Sequence, residues 1–135
     1  VSQFHFVAYV RPEPQGSTKA FMHKGRPMIT SANDKMKPYR HDVTQMALEA
    51  MSRLGLQRPI AAFDVPVSMV LEFYFRRPKS VKRADMTVKP DLDKLLRSTL
   101  DSLAGIVYVD DSQVVEVSAR KHYGVPERVE VSIVC

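Results

Sequence analysis

Apolar residues recur along this chain with two different periods, and the switches between them divide it into elements. Phe4, Phe6, Ala8 and Val10 alternate with His5, Val7 and Tyr9, which predicts a first strand ended by Pro12 and Pro14. From Gln15 to Thr30 the pattern lapses into a loop-like stretch carrying Gly16, Gly25 and Pro27 with Lys19, Lys24 and Arg26. Within it, Lys24-Gly25 suits the turn of a short hairpin between Phe21 and Ile29. Pro38 fits the first turn of a helix, and Val43, Met46, Ala47, Ala50, Met51 and Leu54 follow at three- and four-residue spacing until Gly55 stops it. The methionines of that stripe read as core packing rather than a binding groove.

The period then returns to two. Val65, Val67, Met69, Leu71, Phe73 and Phe75 share one face of the best strand in the chain, with Ser68, Val70, Glu72 and Tyr74 on the other. It runs into Arg76, Arg77, Pro78, Lys79, Lys82 and Arg83, a basic segment expected to be a flexible loop. A second helix is predicted from about Pro90 to about Gly105, with Leu92, Leu95, Leu96, Thr99, Leu100 and Leu103 on one face and Asp93, Arg97 and Asp101 on the other. Val115, Val117 and Ala119, then Val129, Val131 and Ile133 after a turn at Gly124 to Pro126, predict two strands that pair antiparallel with each other. The expected fold is α/β in the mixed α+β sense. A mixed sheet packs on two main helices, with the acids grouped at one edge.

Composition changes this picture only at the margins. A chain of 135 residues supports one core, so residues 1–135 are read as one domain, and 44% hydrophobic with 26% charged residues is ordinary for a folded protein. The net charge of +5 and pI near 9.5 favour a polyanionic partner, of which nucleic acid is the commonest. The single cysteine, Cys135, excludes an internal disulfide and suits a reducing, cytoplasmic setting. Val1 to Val10 lacks the pattern of a charged leader followed by an apolar stretch and no run reaches membrane-span length, so neither secretion nor membrane insertion is expected.

Candidate chemistry lies in Lys89-Pro90-Asp91-Leu92-Asp93-Lys94 and in Val109-Asp110-Asp111-Ser112-Gln113. An aspartate at a helix start commonly caps backbone N–H groups, which accounts for Asp91 alone. With Asp91 in the entering turn and Asp93 in the first turn, both carboxylates can also converge on a hard cation such as Mg2+, and Asp110 or Asp111 can add another oxygen. Such acids suit phosphodiester hydrolysis, where a bound metal activates water and offsets developing charge. Arg97, one turn beyond Asp93, either meets the phosphate or pairs with Asp93 or Asp101.

Four stretches together resemble the signature of RusA-like endodeoxyribonucleases: Lys89 to Leu95, Asp101-Ser102-Leu103-Ala104-Gly105, Tyr108 to Val114, and Lys121-His122-Tyr123. Pro12 to Gly16 is similar to the family's N-terminal segment. The resemblance implies a homodimer that resolves Holliday junctions by paired nicks in opposing strands, with Mg2+ or Mn2+ as cofactor, in a bacterial cell or a phage-infected host. It implies Asp91, Asp93 and Asp111 as catalytic metal ligands, with Asp110 sharing that role or supporting it and Asp101 structural or supporting. A lysine that the family uses near the metal corresponds to Arg97, so charge is kept while a titratable amine is lost; Lys94, Lys121 or water would then move any proton. Arg76, Arg77, Lys79, Lys82, Arg83, Lys89, Lys94 and Lys121 are the expected DNA contacts. A broader flap or fork nuclease, and a structural DNA-binding protein without hydrolytic activity, are the alternatives.

Overall fold

The computed structural model describes residues 2–16, 18–31 and 33–135. In chain order its elements are β1 (Gln3–Ala8), β2 (Thr18–His23), β3 (Arg26–Ser31), α1 (Met36–Arg53), β4 (Val67–Phe75), α2 (Leu92–Leu103), a single 3-10 turn (Asp111–Gln113), β5 (Val114–Tyr123) and β6 (Arg128–Val134). The helix-period and strand-period stretches thus become helices and strands. The hairpin turn falls at Lys24-Gly25, where φ is 52° and 75°, the positive values that a two-residue turn between twisted strands requires. Gly55, with φ 67°, closes α1: its N–H donates to Ser52 and the Leu56 N–H to the Met51 carbonyl, so two end carbonyls are satisfied.

β4 sets the architecture. Val67, Met69, Leu71, Phe73 and Phe75 are all buried, and β4 is hydrogen-bonded on both sides, giving the order β1-β6-β4-β5. β6 pairs antiparallel with β4 and with β1, whereas β5 runs parallel to β4. The expected antiparallel pair of β5 and β6 is therefore corrected: the two are separated by β4. The most apolar strand takes the centre of the sheet, and the turn at Gly124–Pro126 carries the chain across it. β5 exposes Val115, Glu116, Ser118 and Arg120, a composition suited to an edge.

Helices α1 and α2 cover one face of this sheet, and Phe4, Phe6, Val43, Ala47, Leu95, Leu103, Val131 and Ile133 join the β4 residues in the core. The Tyr39 hydroxyl meets the Thr99 hydroxyl at 2.8 Å inside the layer, tying α1 to α2, and burial raises that phenol far above its ordinary pKa. Among the described residues no helix is long and apolar enough to cross a membrane. A parallel pair needs a crossover, and β4, α2 and β5 form one. Asp91 therefore lies beyond the C-terminal end of the parallel strands, while Asp110 and Asp111 lie just before the N-terminal end of β5.

Candidate active site

At the start of α2 the chain prepares Asp91 in an unusual way for a helix terminus. Asp91 occupies the capping position with extended backbone (φ −70°, ψ 137°), but its carboxylate makes no capping hydrogen bond. It is exposed instead, 3.8 Å from the Lys94 ammonium. The turn carrying it is held from β5: Lys121 Nζ donates to the Val88 carbonyl at 2.6 Å and the Pro90 carbonyl at 2.9 Å. Asp93, in the first turn, is also exposed. Lys121, grouped by sequence with the DNA contacts, thus directs two of its three donors at the turn that carries Asp91.

This end of α2 faces the N-terminal segment. The Gln15 N–H donates to the Lys94 carbonyl at 2.9 Å, the Ser98 hydroxyl donates to the Glu13 carbonyl at 2.5 Å, and the Asn33 amide donates to the Pro14 carbonyl at 2.9 Å. The result is an open cleft lined by Gln15, Gly16, Lys35, Lys89, Asp91 and Lys94. Arg76, Arg77, Lys79, Lys82 and Arg83 lie exposed on the irregular segment after β4. The Arg77 guanidinium sits 5.7 Å from the Tyr123 ring centre, beside a shallow groove shared with Arg76 and Gly124.

The remaining acids assemble at the other end. Asp101 is paired with Arg40 of α1 at 2.7 Å, and the same Arg40 nitrogen hydrogen-bonds the Gln15 side chain. Among the described residues Arg97 makes no ion pair with Asp93 or Asp101, and it is exposed. Asp110 accepts the Ser112 N–H at 3.0 Å and caps the 3-10 turn, which holds its carboxyl below the usual carboxylate range. Asp111 is pushed the other way, chiefly by sharing a proton with Asp110, then by partial desolvation and the charge of Asp101. Asp101, Asp110 and Asp111 are thus neighbours.

Gln113 fixes this second cluster. Its side-chain carbonyl accepts the N–H groups of Val109 (2.8 Å) and Asp110 (3.0 Å), and its amide donates to the carbonyls of Ala62 (2.8 Å) and Val65 (3.0 Å). Sequence reading included Gln113 in the acidic motif without a role of its own, and did not single out Arg40. The Asp110-x-x-Gln113 spacing is a capping-box signature that points to the first. Nothing local marks the second.

The acids expected at one edge are in fact divided. Asp93 and Asp101 are separated by roughly 12 Å of helix, at about 1.5 Å per residue. Among the described residues no three acids, histidines or cysteines come together as a metal-holding group. Asp91 and Asp93 nonetheless supply exposed carboxylate oxygens, the donors Mg2+ favours, and that ion commonly takes only one or two carboxylates alongside water and substrate phosphate.

Comparison with known proteins gives the family of the chain. The family model described as "Endodeoxyribonuclease RusA" matches residues 10–134. An "Uncharacterized protein YqaN" of Bacillus subtilis (strain 168) is 30% identical over 140 residues, spanning 95% of this chain and 93% of the relative.

Proposed function

The chain belongs to the RusA endodeoxyribonuclease family, and from that premise we propose that it is a Mg2+-dependent homodimer that resolves Holliday junctions by paired nicks in opposing strands. The observation that carries this reading is Asp91: exposed at a helix start, relieved of capping, adjacent to Asp93 and set in a turn that Lys121 grips from β5. Asp91 and Asp93 would hold Mg2+, or Mn2+, which when bound supplies an activated water and offsets charge on the phosphate. Arg97, unpaired with either neighbouring acid and one turn along the same helix, faces the phosphate and stabilises its growing charge. Arg76, Arg77, Lys79, Lys82, Arg83, Lys89 and Lys94 draw the DNA backbone to this end.

Asp111 is the third ligand in this proposal, and a rigid helix keeps it from the Asp91 of its own chain. A two-fold dimer removes the difficulty, because the Asp110-Asp111 turn of one subunit can meet the Asp91-Asp93 end of the other. Each such composite centre then serves one of two opposing strands. The work belongs to DNA recombination and repair, in bacterial cytoplasm or that of a phage host.

The test offers synthetic four-way junctions, flaps, forks and linear duplexes with Mg2+ or EDTA. Wild-type protein is expected to cut junctions only with metal. Asp91→Asn loses cutting while keeping binding; Arg97→Ala slows cutting on the order of 100-fold, and Arg97→Lys far less. Equal cutting of all branched substrates instead indicates a broader flap and fork nuclease. Binding with no cutting of any substrate indicates a structural DNA-binding protein.

A further inference from the structure

β2 and β3 form a two-stranded ribbon separate from the main sheet, and it breaks the rule that apolar residues seek cover. Every residue from Ala20 to Ile29 is exposed. Phe21 and Met28 are cross-strand partners on one face, each 43% exposed. On the opposite face Ile29 (74%) pairs with Ala20 and Met22 (67%) with Pro27. An isolated hairpin of this size is marginal in water, so a ribbon with bare apolar groups on both faces is built to be covered by something else.

Charge and position say what covers it. Glu13 and Asp34 flank the ribbon and line the cleft at its base, but between them the sequence carries Lys19, Lys24, Arg26 and His23 and no acidic residue. The ribbon also springs from the cleft of Asp91, since Gln15 and Gly16 before it and Asn33 after it line that cleft. Its six-residue strands reach about 17 Å from there. A two-stranded ribbon is narrow enough to enter a DNA groove, and apolar side chains act as wedges between bases where stacking is already weak. The branch point of a junction is such a place.

We propose that this ribbon is a DNA-contacting arm, with Lys24 and Arg26 on the phosphates and Phe21, Met22, Met28 and Ile29 against unstacked bases at the branch point. The inference rests on the nuclease reading for its choice of branched DNA. It is tested on the full-length protein by two double variants, Met22→Ser with Ile29→Ser and Lys24→Ala with Arg26→Ala. Binding is measured with Ca2+ in place of Mg2+, to a four-way junction carrying 2-aminopurine at the branch and to a linear duplex. Sedimentation of each variant accompanies it.

The apolar variant is expected to lose about tenfold in junction affinity together with the 2-aminopurine signal, while duplex binding stays within about twofold. The cationic variant weakens both substrates and lowers the slope of log affinity against log salt by about one to two. Wild-type affinity, fluorescence and salt slope in both variants overturn the proposal. So does a change of oligomeric state in the apolar variant, which assigns the ribbon to contact between copies. Protein that never cuts, but whose ribbon variants still lose DNA binding, overturns the nuclease reading and leaves the ribbon assignment standing.

Discussion

A single carboxamide, that of Gln113, satisfies two backbone N–H groups and two carbonyls from two stretches of the chain, in a residue only 8% exposed. Removing it strands buried polar groups that water reaches poorly. Gln113→Ala is expected to cost about 2–3 kcal/mol in urea unfolding, and Gln113→Glu to be no rescue, since a carboxylate cannot donate to Ala62 and Val65. At this scale the sequence is legible where a residue answers to near neighbours. The Asp110-Gln113 capping box is of that kind. It is illegible where the partner is remote: helical spacing offers Asp101 an arginine at position 97, but the structure gives it Arg40 from α1, because packing α1 on α2 brings that guanidinium within 2.7 Å.

Elements were read more fully than their neighbours. The periods of two and 3.6, with Gly55 and Lys24-Gly25 as punctuation, locate strands, helices and the hairpin, because burial on one face imposes those periods locally. Pairing is a property of the whole sheet, so β5 and β6 could be found as strands and still be assigned the wrong partners. That error concealed the consequence that matters for the site: a parallel β4-α2-β5 unit places what precedes α2 and what precedes β5 at opposite ends. Lys121 is the tie from β5 to the near end. Lys121→Met is expected to raise the Mg2+ concentration needed for half-maximal cutting about tenfold, since it removes two hydrogen bonds, each worth about 1 kcal/mol. Junction binding with Ca2+ should stay near wild type, and a loss of folding or binding equal to the loss of cutting would remove Lys121 from the positioning role.

For the whole molecule, the chain is basic, and its ribbon and the segment after β4 both carry exposed cations. The second set of acids lies at the other end of α2 from Asp91. The proposed metal centre of Asp91, Asp93 and Asp111 therefore makes a demand on assembly that a single chain does not meet. The direct measurement mixes two inactive proteins, Asp91→Asn and Asp111→Asn, under conditions where subunits exchange, and follows a four-way junction with each strand separately labelled. Neither variant alone should cut with Mg2+. The mixture should regain nicking of one strand per junction, because in a mixed dimer one composite centre carries both substitutions and the other carries none. A mixture that exchanges subunits and binds the junction yet stays as inactive as its parents would contradict a centre shared between Asp91 of one chain and Asp111 of the other.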